Sequence, residues 1–431
     1  MALPVDVPVA LLGYGTVGAA VDRLIRENRD DIQRATGHRL RVVHALVREP
    51  GKERGHRPDD GVLTTDFDAI AHNPEIAIVA EVMGGVDPAG DYVLELLAAG
   101  KHVVSANKQL VSRRGADLFA AASRAGVQVR FEASVCAAIP VIKVLRESLV
   151  VTNVHRVLGI VNGTTNFILG RMREGGTYED ALAEAQRLGY AEADPTDDVT
   201  GADAAAKMAI LATVAFGSRV TFDDVAHQGI DRLEPAHVQA ATELGMVVKL
   251  VGRATLVDEQ VDVRVQPALV DGHHPLAAVE GAFNAVTLQG DAIREITLEG
   301  PGAGGVETAS AVVSDMVSII GTTGTGFLQN DACWRELPKL PPGELLSPYY
   351  LHVAVADRVG VLARITEALA EHRVSVARLS QKLVDENGAA LDIVTHEAPA
   401  GRVEAALAQV AALDEVHATP TAIPVISDRP L

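Results

Sequence analysis

Short apolar runs alternate with stretches of helical periodicity over the first 133 residues. Residues 7–12 (VPVALL) predict a buried strand, and the apolar positions that follow recur at helical spacing, at Val17, Val21, Leu24 and Ile25. Further strands are predicted at 40–47, 76–82, 102–105 and 127–131, and helices at 91–99 and 115–125. This alternation is typical of a doubly wound parallel sheet, so we expect an α/β, Rossmann-like domain over residues 1–133.

A different pattern begins near residue 134. Longer helices are predicted at 178–188, 202–216 and 235–251, and they mix with alternating strands such as 261–266. This mixture indicates a second, α+β domain over residues 134–336, which we expect to serve catalysis and dimerisation. The apolar stretch 308–320 predicts a helix that packs back on the first domain.

A tether and a third domain follow. Residues 337–348 (LPKLPPGELLSP) contain four prolines and a glycine without periodicity, the composition of a linker. Beyond it, strands are predicted at 350–356, 374–383, 388–395 and 415–424, and helices at 361–372 and 401–411. The order βαββαβ predicts a ferredoxin-like module over residues 349–431.

Composition narrows the functional classes. The 431 residues carry 38 Lys and Arg against 57 Asp and Glu, a formal charge of −19, which is the wrong sign for a surface that follows nucleic-acid phosphates. No apolar run approaches the ~18 residues that a membrane span needs, and the N-terminus lacks a basic signal-peptide region. Two cysteines, Cys136 and Cys333, are too few for a disulfide framework. We therefore expect a cytoplasmic protein with no nucleic-acid or membrane partner.

The segment Gly13-Tyr14-Gly15-Thr16-Val17-Gly18 places GxGxxG between a predicted strand and a predicted helix. In that context the first glycine turns the chain, the second admits a pyrophosphate, and the third lets helix and strand pack. The helix N-terminus adds unpaired N–H groups for the phosphates. A glycine-rich turn without a ligand is the alternative, and the strand and helix on either side favour a dinucleotide site.

The end of the second predicted strand bears on the choice of dinucleotide. An NAD site usually has an acidic residue there, which binds the ribose 2′-hydroxyl. Here the strand ends in Arg48, with Lys52 and Arg54 beyond it. A guanidinium suits a 2′-phosphate, so the sequence favours NADP, although the adjacent Glu49 leaves NAD possible. For Lys52 and Arg54, a solvated turn is an equally good interpretation.

Two lysines are candidates for chemistry. Lys108 follows a predicted strand end, where the ligand crevices of open α/β sheets lie, although a lysine at a turn is commonly solvated. Lys207 comes four residues after Asp203 on a predicted helix, so the carboxylate can orient the ammonium group. An ordinary surface ion pair is the commoner origin of such a spacing. The neighbours of this pair are apolar almost all round the helix, which predicts burial and favours a function.

The chain resembles the homoserine dehydrogenase family over nearly its whole length. The matching stretches are GYGTVG at 13–18, GKHVVSANK at 100–108, FEASVCAAIP at 131–140, VNGTTNFIL at 161–169, LGYAEADPTDDVTGADAAAKMAIL at 188–211 and GPGAGGVETASAVVSD at 300–315. Several independent motifs in order are more specific than one glycine loop. The third domain, with DRVGVL at 357–362, resembles an ACT domain.

This resemblance implies NAD(P)H-dependent reduction of L-aspartate 4-semialdehyde to L-homoserine, in threonine, methionine and isoleucine biosynthesis. Lys207 is the candidate general acid, oriented by Asp203, and Lys108 is the second cation; the sequence leaves open which lysine gives the proton. Glu192 matches the ligand of the substrate ammonium group, with Asp198 and Tyr190 nearby, and Gly163 and Thr164 offer donors to a small ligand. Ser105 and Gly304 join Lys108, Arg48 and the residues of the glycine loop, Gly13, Gly15, Thr16, Val17 and Gly18, as expected cofactor contacts.

The family also implies a sodium ion, held by main-chain oxygens of Glu132, Val135, Ala137 and Ile139. Next to these, Cys136 and Ala138 stand where the family usually has glycines or small residues. Ala138 is expected to resist a left-handed backbone, which glycine adopts freely. Cys136 is interpreted as a packing residue, since hydride transfer needs no thiol.

For the ACT-like domain, the resemblance implies an amino-acid effector, with threonine the first candidate. Asp357, Gly360, Val361 and Leu362 are the expected contacts, and a homodimer or homotetramer is the expected assembly. Two alternatives stay open at this point: a dehydrogenase of another small amino-acid aldehyde or imine, and a catalytically silent amino-acid sensor.

Overall fold

The computed structural model describes residues 6–323, 336–341, 343–384 and 388–426. Predictions that concern residues 1–5, Cys333 and residues 427–431 lie outside these ranges. Contacts between described residues divide the chain into two compact units. Unit 1 takes its residues from 1–157, 203–226 and 283–337, and unit 2 from 158–202, 227–282 and 338–431.

The strands begin with a regular series in unit 1 and continue into long hairpins. In chain order they are β1 (Asp6–Leu12), β2 (Arg39–Leu46), β3 (Leu63–Thr64), β4 (Ile78–Glu81), β5 (His102–Ser105), β6 (Val129–Arg130), β7 (Val154–Ile160), β8 (Ala226–His227), β9 (Met246–Val257), β10 (Gln260–Asp271), β11 (Phe283–Gly290), β12 (Arg294–Pro301), β13 (Leu346–Ser347), β14 (Tyr349–Ala356), β15 (Val376–Leu383), β16 (Gly388–Thr395), β17 (Ala398–Pro399) and β18 (Thr421–Ile426).

The helices alternate with the early strands and dominate the middle of the chain. In chain order they are α1 (Thr16–Glu27), α2 (Arg29–Thr36), α3 (Asp68–Ala71), α4 (Ala89–Ala98), α5 (Lys108–Ala125), α6 (Val141–Lys143), α7 (Gly163–Arg173), α8 (Tyr178–Leu188), α9 (Thr196–Val199), α10 (Ala202–Phe216), α11 (Pro235–Glu243), α12 (Gly305–Thr322), α13 (Val361–Glu371) and α14 (Ala400–Ala411). None of the described helices is both long enough and apolar enough to cross a membrane.

Unit 1 is built on a six-stranded sheet with the strand order β3-β2-β1-β4-β5-β6. All of its neighbouring strands are parallel. The central strand β1 is apolar and almost completely buried because helices cover both faces of such a sheet. The strand order reverses between β2 and β4, and a ligand crevice forms at the carboxyl ends of the strands beside such a point. The predicted α/β fold with an N-terminal parallel sheet is confirmed.

The helix α12 belongs to the same core as the glycine-loop helix α1. Val312, Met316 and Ile319 of α12 are fully buried in one apolar cluster with Val21 and Ile25 of α1. The apolar run at 308–320 therefore forms a helix that returns to the N-terminal sheet, 18 residues long instead of 13.

The predicted helix over 235–251 is wrong in its second half. Helix α11 ends at Glu243, and Gly245 takes a left-handed conformation (φ 76°) that reverses the chain. Strand β9 then starts at Met246 and pairs with β10 along its whole length. The β-branched residues Val247 and Val248 come soon after the glycine and favour the strand, because they pack well on a pleated surface.

The C-terminal part of unit 2 has the predicted βαββαβ order, with β14, α13, β15, β16, α14 and β18 in sequence. Its last strand begins at Thr421, not at residue 415. The chain makes turns after α14 and pairs there with β14 through an isolated bridge between Val416 and Val355, which is too short to form a strand. β18 pairs with β14 on one side and with β10 on the other. The ACT-like sheet is therefore continuous with the β9–β10 hairpin.

The predicted linker also contacts the β9–β10 hairpin. The N–H of Val261 donates to the Pro338 carbonyl at 2.8 Å, and the Leu340 N–H donates to the Val261 carbonyl at 3.0 Å. The first residues of the tether thus lie along β10. The division into domains at 133, 336 and 348 stays a prediction.

Candidate active site

The glycine loop lies between β1 and α1, and its three glycines have different surroundings. Gly13 has φ 108°, and a Cβ on it would lie 2.9 Å from the Val82 carbonyl oxygen. A Cβ on Gly18 would lie 2.4 Å from the Gly13 oxygen, so the start of α1 packs directly on the turn. Nothing lies within 4 Å of a Cβ at Gly15, which caps α1 without a side-chain hydrogen bond. The helix N-terminus therefore faces open space, as phosphate binding requires.

This loop forms the floor of a cleft of about 1630 Å³. Arg48 and Lys52 line its rim just beyond the end of β2, and Gly305 and Glu307 of α12 line another part of it. The Arg54 guanidinium donates to the main-chain carbonyls of Glu49, Pro50 and Lys52, so it organises the loop from within. Arg48 follows the last residue of β2, Leu46, by two positions.

Next to β1, the carboxyl ends of β4 and β5 are joined by Glu81, a completely buried residue that the sequence analysis missed. Its carboxylate accepts hydrogen bonds from the Ser105 hydroxyl at 2.7 Å and from the Met83 N–H at 2.9 Å. Burial raises the pKa of Glu81. The predicted cofactor residue Ser105 thus has an internal partner, and Asn107 caps α5 by accepting from the Leu110 N–H.

The helix α5 begins at Lys108, whose ammonium group contacts the Asp203 carboxylate of α10. The other Asp203 oxygen lies 2.8 Å from the Lys207 ammonium, four residues further along α10. Asp203 and Lys207 are 4% and 10% exposed at their side chains, whereas Lys108 is 35% exposed. Burial by itself would raise the pKa of Asp203, but the two ammonium groups hold it well below its usual range. The prediction that α10 is buried is confirmed.

A pair of buried acidic residues lies at the segment 132–139: Glu132 within the segment and Asp315 on α12. The Glu132 carboxylate accepts from the main-chain N–H groups of Ile142 and Lys143, both at 2.8 Å. Burial and the negative charge of Asp315 raise the pKa of Glu132 to about 7. The Glu132 N–H in turn donates to Asp315 at 2.9 Å. The sequence analysis considered only the main-chain oxygen of Glu132. The structure shows that its side chain is also fixed by hydrogen bonds.

Ala138 does not adopt a left-handed backbone; the left-handed residue of this segment is its neighbour Ala137, with φ 44°. Val135, Ala137 and Ile139 are buried, whereas Ala138 is exposed. Cys136 is completely buried, and burial raises the pKa of its thiol to about 11. A thiol with such a pKa is a poor nucleophile at neutral pH, which agrees with a packing role.

The residues expected to bind substrate lie in unit 2, around the start of α7. Asn162, which the sequence analysis did not single out, caps α7 by accepting from the Thr165 N–H and donates to Asp198 at 2.7 Å. The Thr164 hydroxyl donates to the Tyr190 carbonyl at 2.6 Å. A Cβ on Gly163 would lie 2.3 Å from the Ala282 oxygen, so only glycine fits there.

The remaining predicted site residues also lie in unit 2. Glu192 is exposed, and its main-chain carbonyl accepts from Gln186 at 3.1 Å. In the ACT-like part, Gly360 (φ 93°) caps α13, with buried Val361 and partly exposed Leu362 as the first helical residues. The carboxylate of Asp357 accepts from Gln381 at 3.1 Å.

Comparison with known proteins finds one family along successive parts of the chain. The family models that match are the NAD-binding domain of homoserine dehydrogenase over residues 13–132, homoserine dehydrogenase over 140–317 and the ACT domain over 349–415. A homoserine dehydrogenase of Synechocystis is 39% identical over 436 residues, which cover 98% of this chain and 100% of that protein. A solved homoserine dehydrogenase from Thiobacillus denitrificans is 40% identical with a TM-score of 0.93, over 99% of both chains. A hyperthermophilic archaeal homoserine dehydrogenase in complex with NADPH is 30% identical with a TM-score of 0.63, over 73% of this chain and 97% of that one.

Proposed function

Because this chain belongs to the homoserine dehydrogenase family, with the NAD-binding, catalytic and ACT domains of that family, we propose that Lys108, Asp203 and Lys207 are its reaction centre. The reaction is the reduction of L-aspartate 4-semialdehyde to L-homoserine. The observation that carries this assignment is the buried Asp203 carboxylate with two ammonium groups on it. Lys108 is the first residue of α5, which follows the carboxyl end of β5, on the sheet edge where the glycine loop also lies.

The chemistry requires a proton donor beside the aldehyde oxygen. The reduced nicotinamide supplies the hydride for the aldehyde carbon, and the oxygen that gains charge takes a proton. Lys207 gives that proton, since it is the less exposed ammonium group and Asp203 orients it. Lys108 polarises the carbonyl, and its positive charge stabilises the developing alkoxide. Asp203 acts as a positioning residue for both lysines.

The substrate is a zwitterion and needs groups for both of its charges. Glu192 and Asp198 bind its ammonium group, and the main-chain N–H groups of Gly163 and Thr164 at the start of α7 bind its carboxylate, with Tyr190 beside them. The contacts among Asn162, Asp198, Thr164 and Tyr190 support this role, because they hold these groups in one place within unit 2.

NADP is the proposed cofactor, bound at the glycine loop through Gly13, Gly15, Thr16, Val17 and Gly18, with Ser105, Lys108 and Gly304 as further contacts. Arg48 at the rim of the cleft supports NADP over NAD, because it would pair with the 2′-phosphate. Arg48→Ala should raise the NADPH KM about tenfold and change the NADH KM much less. Arg41→Ala serves as the control, because Arg41 is exposed on β2. Equal changes for both cofactors would exclude a 2′-phosphate contact.

A sodium ion is proposed at the main-chain oxygens of Glu132, Val135, Ala137 and Ile139. Oxygen ligands suit a hard cation, and the left-handed Ala137 is a strained conformation of the kind found at ligand sites. We expect the protein to unfold at a higher temperature in sodium chloride than in choline chloride at equal ionic strength. Equal unfolding temperatures would contradict the sodium site.

The ACT domain is proposed to bind an amino acid, with threonine as the first candidate, through Asp357, Gly360, Val361 and Leu362. The proposed assembly is a homodimer or homotetramer, and the proposed location is the cytoplasm. The positive φ of Gly360 supports a close approach of backbone to ligand at the N-terminus of α13. The proposed domain limits are 1–133, 134–336 and 349–431, with the linker 337–348.

One assay tests the proposed function. NADPH oxidation is followed with L-aspartate 4-semialdehyde and with other small aldehydes, and NADP⁺ reduction is followed with L-homoserine. We expect kcat/KM to be highest for aspartate semialdehyde. Faster turnover of another amino-acid aldehyde or imine would favour the related dehydrogenase, and NADPH binding without any turnover would favour a silent sensor.

A further inference from the structure

A buried carboxylate stands on α1 one turn beyond the glycine loop. Asp22 is 1% exposed, and an ionised carboxylate at such depth needs partners. It accepts from the Tyr14 hydroxyl at 2.6 Å and from Arg26 Nε at 2.9 Å. His56 Nε2 lies 3.3 Å from the same oxygen that Tyr14 contacts. Asp22 is therefore the centre of a polar cluster formed by residues from three segments.

The first segment is the glycine loop itself. Tyr14 stands between Gly13 and Gly15 and is 3% exposed. Burial and the hydrogen bond to Asp22 raise the pKa of Tyr14, so the phenol keeps its proton and donates a hydrogen bond to Asp22. The position of Asp22 is thereby coupled to the backbone that receives the cofactor phosphates.

The other partners connect α1 to the loop at 48–60. Arg26 bonds Asp22 through Nε and Asp59 through Nη1, the latter at 2.8 Å. His56 reaches Asp22 from the middle of the loop, and its Nε2 is buried without an aligned hydrogen bond in the part of the chain that the structure describes. The loop is thus attached to α1 at two points.

The hydrogen bonds that Arg54 makes within this loop shape it but do not attach it to α1. Residues 48–60 (REPGKERGHRPDD) form no helix or strand. Structureless loops of this length in compact domains are often functional. The segment has four basic side chains, Arg48, Lys52, Arg54 and Arg57, and four acidic ones, Glu49, Glu53, Asp59 and Asp60. Arg48 and Lys52 line the cleft, so the position of the loop decides where their charges lie.

We propose that Asp22 is a positioning residue for cofactor selection: through Arg26 and His56 it holds the 48–60 loop against α1, so that Arg48 and Lys52 face the 2′-phosphate of the bound dinucleotide. The inference rests on the proposed dinucleotide site and goes beyond it, because Asp22 lies behind the loop and contacts no ligand. If Asp22 only stabilised α1, its pair with Arg26 would be enough. Tyr14 and His56, which also lie beside Asp22, are outside that helix.

The test uses Asp22→Asn in the full chain, which keeps the shape of the side chain and removes its charge. We expect the NADPH KM to rise at least tenfold, the NADH KM to rise less than threefold, and kcat to stay within twofold. Hydrogen exchange should become faster in residues 48–60 and stay unchanged in the strands. Glu27→Gln is the matched control, because Glu27 lies on the same helix, its side chain is 61% exposed, and it pairs with Arg23 at 3.9 Å.

Other outcomes separate the inference from the function on which it rests. If the wild-type protein does not bind NADPH in a fluorescence titration, the dinucleotide site itself is wrong. If it binds NADPH and Asp22→Asn raises the KM of both cofactors equally, or leaves both unchanged, the positioning role of Asp22 is overturned. If Asp22→Asn does not fold, Arg26→Gln removes the hydrogen bonds that connect Asp22 to Asp59 of the loop and must reproduce the selective rise in NADPH KM.

Discussion

Lys108 and Lys207 contact the two oxygens of a single carboxylate, Asp203, although Lys108 lies 95 residues before that aspartate in the chain. Lys108 begins α5 at the end of a sheet strand, and Lys207 shares α10 with Asp203. Because Asp203 stays ionised between them, the three groups together carry one excess positive charge. An excess positive charge in a largely buried site stabilises the oxyanion that forms when an aldehyde accepts hydride.

Removal of the proposed proton donor should affect the chemical step selectively. For Lys207→Ala we expect kcat to fall about 10²–10⁴-fold, the usual contribution of a general acid, while NADPH affinity changes little. Steady-state kinetics and an NADPH fluorescence titration measure the two effects. Arg187→Ala, at a side chain that is 69% exposed on α8, is the control. If Lys207→Ala keeps most of its turnover, Lys108 becomes the candidate donor.

Asp203→Asn should destabilise the protein in a pH-dependent way. Loss of one partner of a buried ion pair costs about 3–5 kcal/mol. The pKa of Asp203 is lower in the folded state than in the unfolded state, so its contribution is complete above about pH 4 and is lost as the pH falls further. Urea unfolding of both proteins should show the largest difference at pH 7 and a smaller one at pH 3. A difference independent of pH would contradict the role of the Asp203 charge.

Glu307 should weaken cofactor binding. Its carboxylate lies over Gly304 at the N-terminus of α12, so close that a Cβ at position 304 would be 2.0 Å from Glu307 Oε2. Since Glu307 lines the cleft, its charge opposes the cofactor phosphates. Glu307→Gln should therefore lower the NADPH Kd about two- to fivefold, the size of one charge at a helix end. Glu299→Gln, exposed on β12, is the control. Weaker binding would instead indicate that Glu307 binds a cofactor hydroxyl.

The ACT domain should respond to threonine only in the intact chain. Leu269 and Val270 of β10 pair with Val425 and Ile426 of β18, so removal of the domain would expose an edge of the β9–β10 hairpin. We therefore expect a chain that ends at Glu344 to be less stable, and a point variant is the sharper test. Asp357→Asn should keep the kcat measured without threonine and lose the several-fold threonine effect that a coupling of ~1–3 kcal/mol produces. Full threonine sensitivity in this variant would place the effector elsewhere.

Much of the fold follows from local sequence. Strand β1, the glycine turn and α1 are specified within 22 residues, because apolar periodicity and the steric demands of Gly13 and Gly18 act over short distances. The βαββαβ order of the C-terminal module is local in the same way. The failure at 235–251 has a local cause too: an apolar run looks alike in a buried helix and a buried strand, and here Gly245 separates the two.

Only the tertiary structure decided which distant groups share a site. The i, i+4 spacing of Asp203 and Lys207 predicts one ion pair, but the second ammonium group comes from Lys108, which is brought there by the order of strands in the sheet. Glu81 and Asp22 had no sequence signal, since a carboxylate at a strand end or on a helix is usually solvated. Their burial depends on elements that pack over them, and that packing is a property of the whole fold and not of any sequence window.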